Sequence, residues 1–346
     1  MRRIAVVTSD VPFVEGGHLT IARSTVRALQ DYGHQADLIL TPQNRFGRQF
    51  RAYLANRFTD VGLDGLGRPI HQVISFRFPS FAVKHPHHVC WLNHRLREYY
   101  DLWDMLYSQL SFKGRIKESI RRRFFHVWDA HLLKHNVSRV YAQSRTIQHR
   151  LEHWGRIPSQ VLYPPPPQRA YHTDGYENFI FSVSRLQNIK RLNLLVEAFH
   201  KAKDKDLKAY IIGEGPEEEN LKALINEYGL DNRVFLLGKS DEKTVLSLYA
   251  RCRAVYFAPL REDYGFVTGE AFISRKSVIT TTDSGGPAEL VKDGESGFIT
   301  NPDPTQLAKR LDLLAGDSSL AERMGGNAHA FMAKITWEKT VETLVI

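Results

Sequence analysis

Four consecutive prolines, residues 164–167, stand near the middle of this 346-residue sequence. Proline fixes φ and lacks a backbone N–H, so such a run is excluded from helix interiors and central strands and favours a stiff, extended linker. A chain of this length is also too long for one ordinary hydrophobic core. The sequence therefore predicts two domains, residues 1–165 and residues 166–330, followed by a terminal segment, residues 331–346.

Each half of the chain shows buried strands that alternate with polar loops and amphipathic helices. In the first half, a strand candidate at residues 4–8 precedes Gly16 and Gly17, a helical stretch that closes at Gly33, and a second strand candidate at residues 36–40. The second half repeats the pattern with strand candidates at residues 179–183, 208–212, 233–237, 254–258 and 277–281. This alternation predicts α/β domains with doubly wound parallel sheets, whose ligands bind at the carboxyl ends of the strands.

The formal net charge of +9 is concentrated in the first half of the chain. Residues 1–165 contain 24 Lys and Arg against 12 Asp and Glu, whereas the remaining residues contain 23 against 26. The first half also contains 12 of the 15 histidines. A basic domain of this kind predicts an anionic partner, which can be an acidic acceptor molecule, a membrane surface or nucleic acid.

The composition predicts a chain without a membrane span. Apolar residues make up 42% of it, enough for buried cores, and no stretch approaches the roughly 20 apolar residues that a spanning helix needs. The apolar run at residues 4–7 is short for a signal peptide and fits a buried strand better. Cys90 and Cys252 are far apart, so the sequence indicates no disulfide framework and predicts a reducing, cytoplasmic environment.

Two cations follow the first strand candidate of the second half. Arg185 is the second residue after this strand, and Lys190 follows within the same loop. Two fixed cations at the carboxyl end of a strand could clamp a diphosphate and stabilise it as a leaving group. A solvated basic loop is the alternative that the sequence leaves open.

Two carboxylates, Glu262 and Glu270, bracket the segment D-Y-G-F-V-T-G between a strand candidate and a helix start. Backbone N–H groups at such a helix start suit phosphate, and the carboxylates suit sugar hydroxyls better than acid/base chemistry. The turns G-E-G-P at residues 213–216 and S-G-G-P at residues 284–287 also follow strand candidates. Each of them is either a plain turn or a place where the backbone approaches a nucleotide.

The order of these motifs resembles the C-terminal domain of the retaining family 4 glycosyltransferases. The motifs are S-R-L-x3-K, G-E-G-P, a glycine after a strand, E-x7-E, S-G-G-x2-E and D-G-x2-G-F, over roughly residues 179–301. The resemblance extends more loosely to the N-terminal G-G loop and to W-L-N-H-R-L-R-E-Y-Y-D-L-W. It implies the GT-B fold, in which two Rossmann-like doubly wound domains face a cleft. It also implies that the terminal stretch with Trp337 crosses back to the N-terminal domain.

The resemblance implies a role for each matching residue. Arg185 and Lys190 would bind the donor diphosphate, Glu262 the hydroxyls of the donor sugar, and Glu270 the ribose hydroxyls. The family's N-domain histidine near the donor sugar is matched by His94. The remaining donor-binding positions would meet the phosphates, the sugar or the base through the backbone: Gly16, Gly17, Gly238, Tyr264, Gly265, Phe266, Val267 and Thr268. Ser184 stands where many relatives have glycine, which leaves both cations in place.

The sequence predicts neither a metal nor a cofactor, and a nucleoside-diphosphate sugar would be the substrate. The D-x-D pattern at Asp204 and Asp206 lies in a polar run between a helix and a strand, so a solvated connector is expected there. The cluster of His85, His87, His88, Cys90 and His94 has a spacing that fits no common zinc site. No metal is required if the cations and the helix N-termini suffice to stabilise the leaving group, and retention of configuration is implied by the resemblance alone.

A basic segment, residues 113–128, suggests where the protein works. Apolar residues recur in it every four positions, at Ile116, Ile120, Phe124 and Trp128, and continue at Leu132. A basic amphipathic helix with bulky aromatics suits an anionic membrane surface, whereas the alternative is a core helix with a solvated basic face.

The sequence thus predicts a cytoplasmic, retaining, metal-independent glycosyltransferase of the hexosyltransferase type, peripheral at the inner membrane face. Its partners would be a nucleotide-sugar donor, an acceptor saccharide or lipid-linked saccharide, and an anionic membrane surface, with no nucleic acid. The alternatives are another GT-B enzyme, such as a sugar-nucleotide epimerase or a phosphorylase, and a basic nucleic-acid-binding module. No recognised nucleic-acid motif supports the last of these.

Overall fold

The computed structural model describes residues 1–10, 16–43 and 46–346. The chain forms two compact units, one of Met1–Pro167 with Ile335–Ile346 and one of Gln168–Lys334. They are called the N-terminal unit and the C-terminal unit below. The first unit ends at Pro167, the last residue of the proline run, whereas the sequence places this boundary at residue 165. The terminal segment that is grouped with the first unit begins at Ile335, whereas the sequence places its start at residue 331.

The N-terminal unit is built on a parallel sheet. Its strands are β1 (Arg3–Asp10), β2 (Gln35–Pro42), β3 (Gln72–Ser75), β4 (His88–Leu92), β5 (Arg139–Ala142) and β6 (Gln160–Val161). Its first five helices are α1 (Gly17–Asp31), α2 (Gln49–Phe58), α3 (Trp103–Gln109), α4 (Phe112–His135) and α5 (Arg145–His153). The strand order is β2-β1-β3-β4-β5-β6, and every neighbouring pair is parallel.

Burial explains why the first strand reads as one apolar run. β1 lies between β2 and β3, and Ile4 to Val7 are all buried, as expected for a parallel strand that is covered on both faces. The helix α1 ends where Gly33 adopts a left-handed conformation, with φ of 82°. His34 N donates to Leu29 O (2.9 Å) and closes the helix.

The C-terminal unit repeats the design. Its strands are β7 (Phe179–Val183), β8 (Lys208–Ile212), β9 (Val234–Leu236), β10 (Ala254–Tyr256), β11 (Val278–Thr281) and β12 (Gly297–Thr300). Its helices are α6 (Leu192–Lys201), α7 (Glu218–Glu227), α8 (Glu242–Arg251), α9 (Phe266–Ile273), α10 (Gly286–Leu290), α11 (Pro304–Gly316) and α12 (Ser318–Met332). The strand order is β12-β11-β10-β7-β8-β9, and all neighbouring pairs are parallel.

The strand order places a topological switch point between β7 and β10. The chain leaves β7 for β8 on one side of the sheet and leaves β10 for β11 on the other side. The loops that follow these two neighbouring strands therefore diverge, and such a divergence opens the crevice in which open α/β sheets bind their ligands.

The last helix, α13 (Trp337–Leu344), belongs to the N-terminal unit. Gln72 Nε2 donates to Leu344 O (2.6 Å), and Ile346 N donates to Gln72 Oε1 (3.0 Å). Trp337 Nε1 donates to Pro166 O (3.1 Å). These bonds tie the end of the chain to β3 and to the proline run.

The predicted α/β class, with two doubly wound parallel sheets, is confirmed. Among residues 1–10, 16–43 and 46–346, no helix combines the length and the apolar character that crossing a bilayer requires.

Candidate functional site

The basic loop after β7 is held against the loop after β8. Ser184 N donates to Ile212 O (3.0 Å) and Leu186 N donates to Glu214 O (2.9 Å). A Cβ on Gly213 would lie 1.8 Å from Ser184 O, and one on Gly215 would lie 2.3 Å from Leu186 O. The glycines of the G-E-G-P turn therefore allow this close backbone approach, which supports the loop that carries Arg185. The side chain of Arg185 itself is exposed.

Lys190 and Glu262 meet at the switch point. Lys190 Nζ lies 2.7 Å from Glu262 Oε2, and the two side chains are only 10% and 19% exposed. The ammonium also lies 5.4 Å from the ring centroid of Phe257. Because both groups are largely shielded from water, the electrostatic attraction in this ion pair is screened less than in an ordinary surface pair. The structure thus joins two residues that the sequence assigned to different parts of one donor.

The loop that carries Glu262 rests on Gly285 and Gly286. Glu262 N donates to Ser284 O (2.8 Å), and Gly286 N donates to Glu262 O (3.0 Å). Gly285 has φ of 74°, and a Cβ there would lie 2.4 Å from Glu262 O. A Cβ on Gly286 would lie 2.5 Å from the Cα of Tyr264. In this structure the glycines of the S-G-G-P turn bring two loops together, a role that the sequence analysis did not foresee.

Arg191 is a supporting residue that sequence reasoning missed. Its guanidinium donates to both carboxylate oxygens of Asp283 (2.8 Å each), to Thr281 Oγ1 (2.6 Å) and to the carbonyl oxygens of Ala258 (2.8 Å) and Pro259 (3.1 Å). It therefore connects the loops that follow β7, β10 and β11. Burial alone would raise the pKa of Asp283, but the hydrogen bonds from Arg191 and Thr281 hold it below its ordinary value.

Arg191 maintains these bonds from an unfavourable backbone conformation. Its φ is 51°, a left-handed value that costs energy for a residue with a side chain. The sequence signal was weak, because a second cation next to Lys190 looks like part of a basic loop. Its partner Asp283 lies 92 positions away.

The segment after Glu262 leads into α9. Gly265, with φ of 82°, precedes the helix, and a Cβ there would lie 2.8 Å from Phe257 Cε1 and from Pro287 Cγ. Phe266 and Val267 form the first turn, whose backbone N–H groups are the kind that bind phosphate. Thr268 Oγ1 is buried and has no hydrogen-bond partner among the described residues.

Glu270 lies within α9, and both its carboxylate oxygens are engaged. Oε1 accepts from Arg169 Nη1 (2.9 Å) and from Tyr171 (3.3 Å), and Oε2 accepts from Tyr249 (3.0 Å). Burial raises the pKa of Glu270, and Arg169 with the two tyrosines opposes that rise. Arg169 also pairs with Glu242 (3.1 Å). A ribose hydroxyl at Glu270 would have to share these oxygens or displace one of the present donors.

The remaining predicted donor-site residues are distributed over both units. Gly238 follows β9 with φ of 64°, and its carbonyl accepts from Gly213 N (2.9 Å). Gly16 and Gly17 belong to the N-terminal unit, where Gly16 is the extended residue before α1 and Gly17 is its first residue.

His94 follows β4 in the N-terminal unit and lines a small cavity. His94 Nδ1 lies 2.7 Å from Arg95 O. Asp101 in the same cavity lies 2.6 Å from Arg97 Nη2 and 3.1 Å from Arg150 Nη2. The cavity is therefore lined by more cationic than anionic side chains.

The candidate metal motifs serve other purposes. His88 is buried between Ser75 Oγ (2.7 Å) and Asn136 O (3.1 Å), and burial lowers the pKa of its ring to about 3. Asp204 Oδ1 accepts from Asp206 N (2.8 Å) and Leu207 N (3.1 Å) and so closes a turn. Within the described part of the chain, no group of three or more His, Cys, Asp or Glu side chains could hold a metal ion.

Comparison with known families identifies the part of the chain that carries this geometry. Residues 168–331 match the family model described as glycosyl transferases group 1. The match covers most of the C-terminal unit, which is just under half of the chain. The recognition made from the motifs is therefore confirmed.

Two curated relatives and one solved structure extend this match. An uncharacterized glycosyltransferase of Methanocaldococcus jannaschii is 26% identical over 227 residues, which cover 65% of this chain and 62% of the relative. An N-acetylgalactosamine-N,N'-diacetylbacillosaminyl-diphospho-undecaprenol 4-alpha-N-acetylgalactosaminyltransferase of Campylobacter jejuni is 35% identical over 127 residues, which cover 37% of this chain and 34% of the relative. The chain thus spans less than two-thirds of the length of either relative.

The solved structure is a sucrose-phosphate synthase from Thermosynechococcus elongatus. It superimposes with a TM-score of 0.76 over 99% of this chain and 97% of its own, at 16% identity. This likeness confirms the predicted GT-B fold and, at that identity, shows the fold alone. The roles of individual group 1 residues stay predictions.

Proposed function

We propose that the protein transfers a sugar from a nucleoside-diphosphate sugar to an acceptor. The observation that carries the proposal is the shielded Lys190–Glu262 pair at the switch point of a group 1 domain. A cation and a carboxylate at such a crevice match the two halves of this substrate, since the cation suits a diphosphate and the carboxylate suits sugar hydroxyls.

Cleavage of the bond between the anomeric carbon and the diphosphate leaves the electron pair on the phosphate oxygen and positive charge on the sugar. Lys190, the exposed Arg185 and the first turn of α9 would stabilise the departing phosphate. We propose that the diphosphate draws the Lys190 ammonium away from Glu262. The freed carboxylate then accepts hydrogen bonds from the sugar, so donor binding and sugar positioning are coupled through one ion pair.

We also propose that transfer retains the anomeric configuration and requires no metal ion or cofactor. Retention rests on the resemblance to the retaining family 4 enzymes. Metal independence is supported by Lys190 and Arg185, which supply positive charge where a metal would otherwise do so. Chelator-treated enzyme should keep its rate, and NMR of the first product formed should show the anomer of the donor. A product of opposite configuration would refute retention.

The acceptor is proposed to be a saccharide or a lipid-linked saccharide, and an anionic one is favoured. The N-terminal half has the excess of Lys and Arg that would attract such a molecule. The name of the Campylobacter relative describes a diphospho-undecaprenol-linked acceptor. We therefore propose a peripheral position at the inner face of a membrane, with the basic residues 113–128 towards anionic lipid. The cytoplasmic location stays a prediction.

A sugar-nucleotide epimerase or a phosphorylase is the second candidate, because the same fold and the same cations would serve either. Incubation with UDP-, GDP-, ADP- and TDP-sugars separates the candidates. A transferase releases the nucleoside diphosphate and an epimerase returns an isomerised sugar nucleotide. A phosphorylase shows activity only with inorganic phosphate or a sugar phosphate. Release of nucleoside diphosphate that rises with added acceptor supports the proposal, and return of an isomerised donor refutes it.

A further inference from the structure

We propose that α2 and α4 together form a surface that docks on an anionic membrane. This proposal deepens the proposed peripheral location and rests on it. It adds α2, a helix that the sequence did not implicate. It is called the two-helix face and consists of Phe50, Leu54 and Phe58 on α2, and of Phe112, Ile116, Ile120, Phe124, Val127 and Trp128 on α4.

The apolar residues of the two-helix face are unusually exposed. Leu54 is 56% and Phe58 is 81% exposed on α2, and Ile120 and Val127 are each 67% exposed on α4. Scattered exposed apolar residues are ordinary on a protein surface. Nine of them on two adjacent helices, however, form the kind of continuous patch that marks an interaction site.

The core uses the other side of α4. Phe125, Leu132 and Leu133 are 1%, 5% and 2% exposed and pack into the core of the N-terminal unit. Of the apolar stripe that the sequence analysis singled out, only Leu132 is therefore buried. The helix therefore contributes to the core, as the alternative of a core helix with a solvated basic face implies, but most of the stripe itself is exposed, and Ile116, for example, is 51% exposed.

The two helices run side by side, so their exposed residues are continuous. The ring of Phe50 lies 4.9 Å from the ring of Phe124. Near the same end, Arg121 Nη2 donates to Gly47 O (2.9 Å). At the far end, Arg57 Nη1 donates to Asn136 Oδ1 (3.0 Å). Contacts at both ends show that α2 lies along the C-terminal half of α4 in the same direction.

The charge of the two-helix face selects its partner. Exposed cations surround the apolar residues: Arg51, Arg57, Lys113, Lys117 and Arg123. The two carboxylates within α2 and α4 are Glu118 and Asp129, and both are buried. The described residues of these helices therefore present apolar and cationic groups to solvent and no carboxylate. This combination suits lipid tails and anionic headgroups at once.

A second copy of the chain fits this surface poorly. A symmetric dimer through the two-helix face would place each cationic set against its copy, and like charges in an interface are unfavourable. An acidic protein is the other class of partner that the charge allows, but a protein interface usually couples its apolar centre to shaped pockets. The two-helix face instead has long side chains that project from helices, as membrane-surface helices do.

Vesicle flotation of the full chain tests this proposal. The vesicles contain either phosphatidylcholine alone or phosphatidylcholine with phosphatidylglycerol. The wild type should float only with the anionic vesicles. Leu54→Ser with Phe58→Ser on α2, and Ile116→Ser with Ile120→Ser on α4, should each weaken partitioning at least about tenfold. Lys113→Gln, Lys117→Gln and Arg123→Gln combined should weaken it about 100-fold, because each cation near an anionic surface contributes about fivefold.

Leu66→Ser is the matched control, because Leu66 is 77% exposed in the same unit but outside both helices. It should float like the wild type, and far-ultraviolet circular dichroism should show all variants folded. A wild type that stays with the protein fraction in both vesicle types overturns membrane docking. A floating wild type with an equally floating α2 variant leaves the membrane location intact and overturns the two-helix face. Neither outcome bears on nucleoside diphosphate release in solution, which tests sugar transfer separately.

Discussion

Lys190 Nζ lies 2.7 Å from Glu262 Oε2, although the two residues are 72 positions apart. The pair connects the loop after β7 to the loop after β10, the two loops that diverge at the switch point of the C-terminal unit. Each side chain of the pair thus balances the charge of the other. The proposed donor would replace this contact, with its diphosphate at Lys190 and its sugar hydroxyls at Glu262.

Lys190→Ala should weaken nucleoside-diphosphate-sugar binding about 10- to 100-fold, as expected for the loss of one charge-assisted contact to phosphate. Isothermal titration calorimetry with the preferred donor measures this change. Lys222→Ala is the control, because Lys222 pairs with Glu218 and Glu219 on the exposed surface of α7 (2.9 Å each). Equal dissociation constants for Lys190→Ala and the wild type would remove Lys190 from the donor site.

Arg191→Ala should lower the free energy of unfolding by about 1–3 kcal/mol, since Asp283 and two carbonyl oxygens lose the hydrogen bonds that Arg191 donates to them. Arg191→Gly should be less destabilised than Arg191→Ala, because glycine tolerates φ of 51°. Both variants should raise the KM for the donor, since both release the loops around Glu262. Urea denaturation and donor titration check these results, and an unchanged KM in both would show that Arg191 serves stability alone.

Gly285→Ala should disturb the loop that carries Glu262. Its Cβ would lie 2.4 Å from Glu262 O, so the loop has to move and transfer activity should fall at least about tenfold. Gly294→Ala is the matched control, since Gly294 has nearly the same φ of 75° but no atom within 4 Å of the added Cβ. It should cost only about 1 kcal/mol of stability. Equal activity of the two variants would contradict the proposed contact.

Asp129 makes the stability of the chain depend on pH. It is fully buried, accepts hydrogen bonds from Tyr53 and Tyr100, and burial raises its pKa well above the ordinary value. A carboxyl whose pKa is raised by folding stabilises the protein below its unfolded pKa of about 3.9, and this contribution is lost as the pH rises through the folded value.

Asp129→Asn removes this titration. The free energy of unfolding of the wild type, minus that of the variant, should therefore fall as the pH rises from 5 to 8. Urea titrations at both pH values measure the difference. A difference that stays constant would show that Asp129 is ionised throughout this range in the folded protein, and a difference that increases with pH would contradict a raised pKa for Asp129.

The sequence predicted the strands and the ends of the strands well, for a physical reason. Parallel strands buried on both faces are short apolar runs, and the polar residues that follow them gather at one edge of the sheet. Lys190 and Glu262 could be placed near each other on that basis. Arg191 could not, because its bonds to Asp283 depend on three loops that only the folded sheet brings together.

The side of α4 that faces the core could not be predicted from the sequence, for a different reason. Its apolar residues occur on more than one side of the helix, and period alone cannot decide which side faces the core. The structure buries Phe125 and Leu132 and leaves Ile120 and Trp128 exposed. The contribution of α2 was equally hidden, since residues 41–70 are polar and poorly periodic.

A thermal-shift titration of the wild type and Lys190→Ala with UDP-, GDP-, ADP- and TDP-sugars tests the central claim most directly. A ligand at 100 times its dissociation constant stabilises the folded state by about 2.7 kcal/mol, so at least one donor should raise the Tm of the wild type clearly. The same donor should raise the Tm of Lys190→Ala much less. Failure of every sugar nucleotide to raise the Tm of the wild type, or equal shifts in both proteins, would contradict a donor site at the Lys190–Glu262 pair.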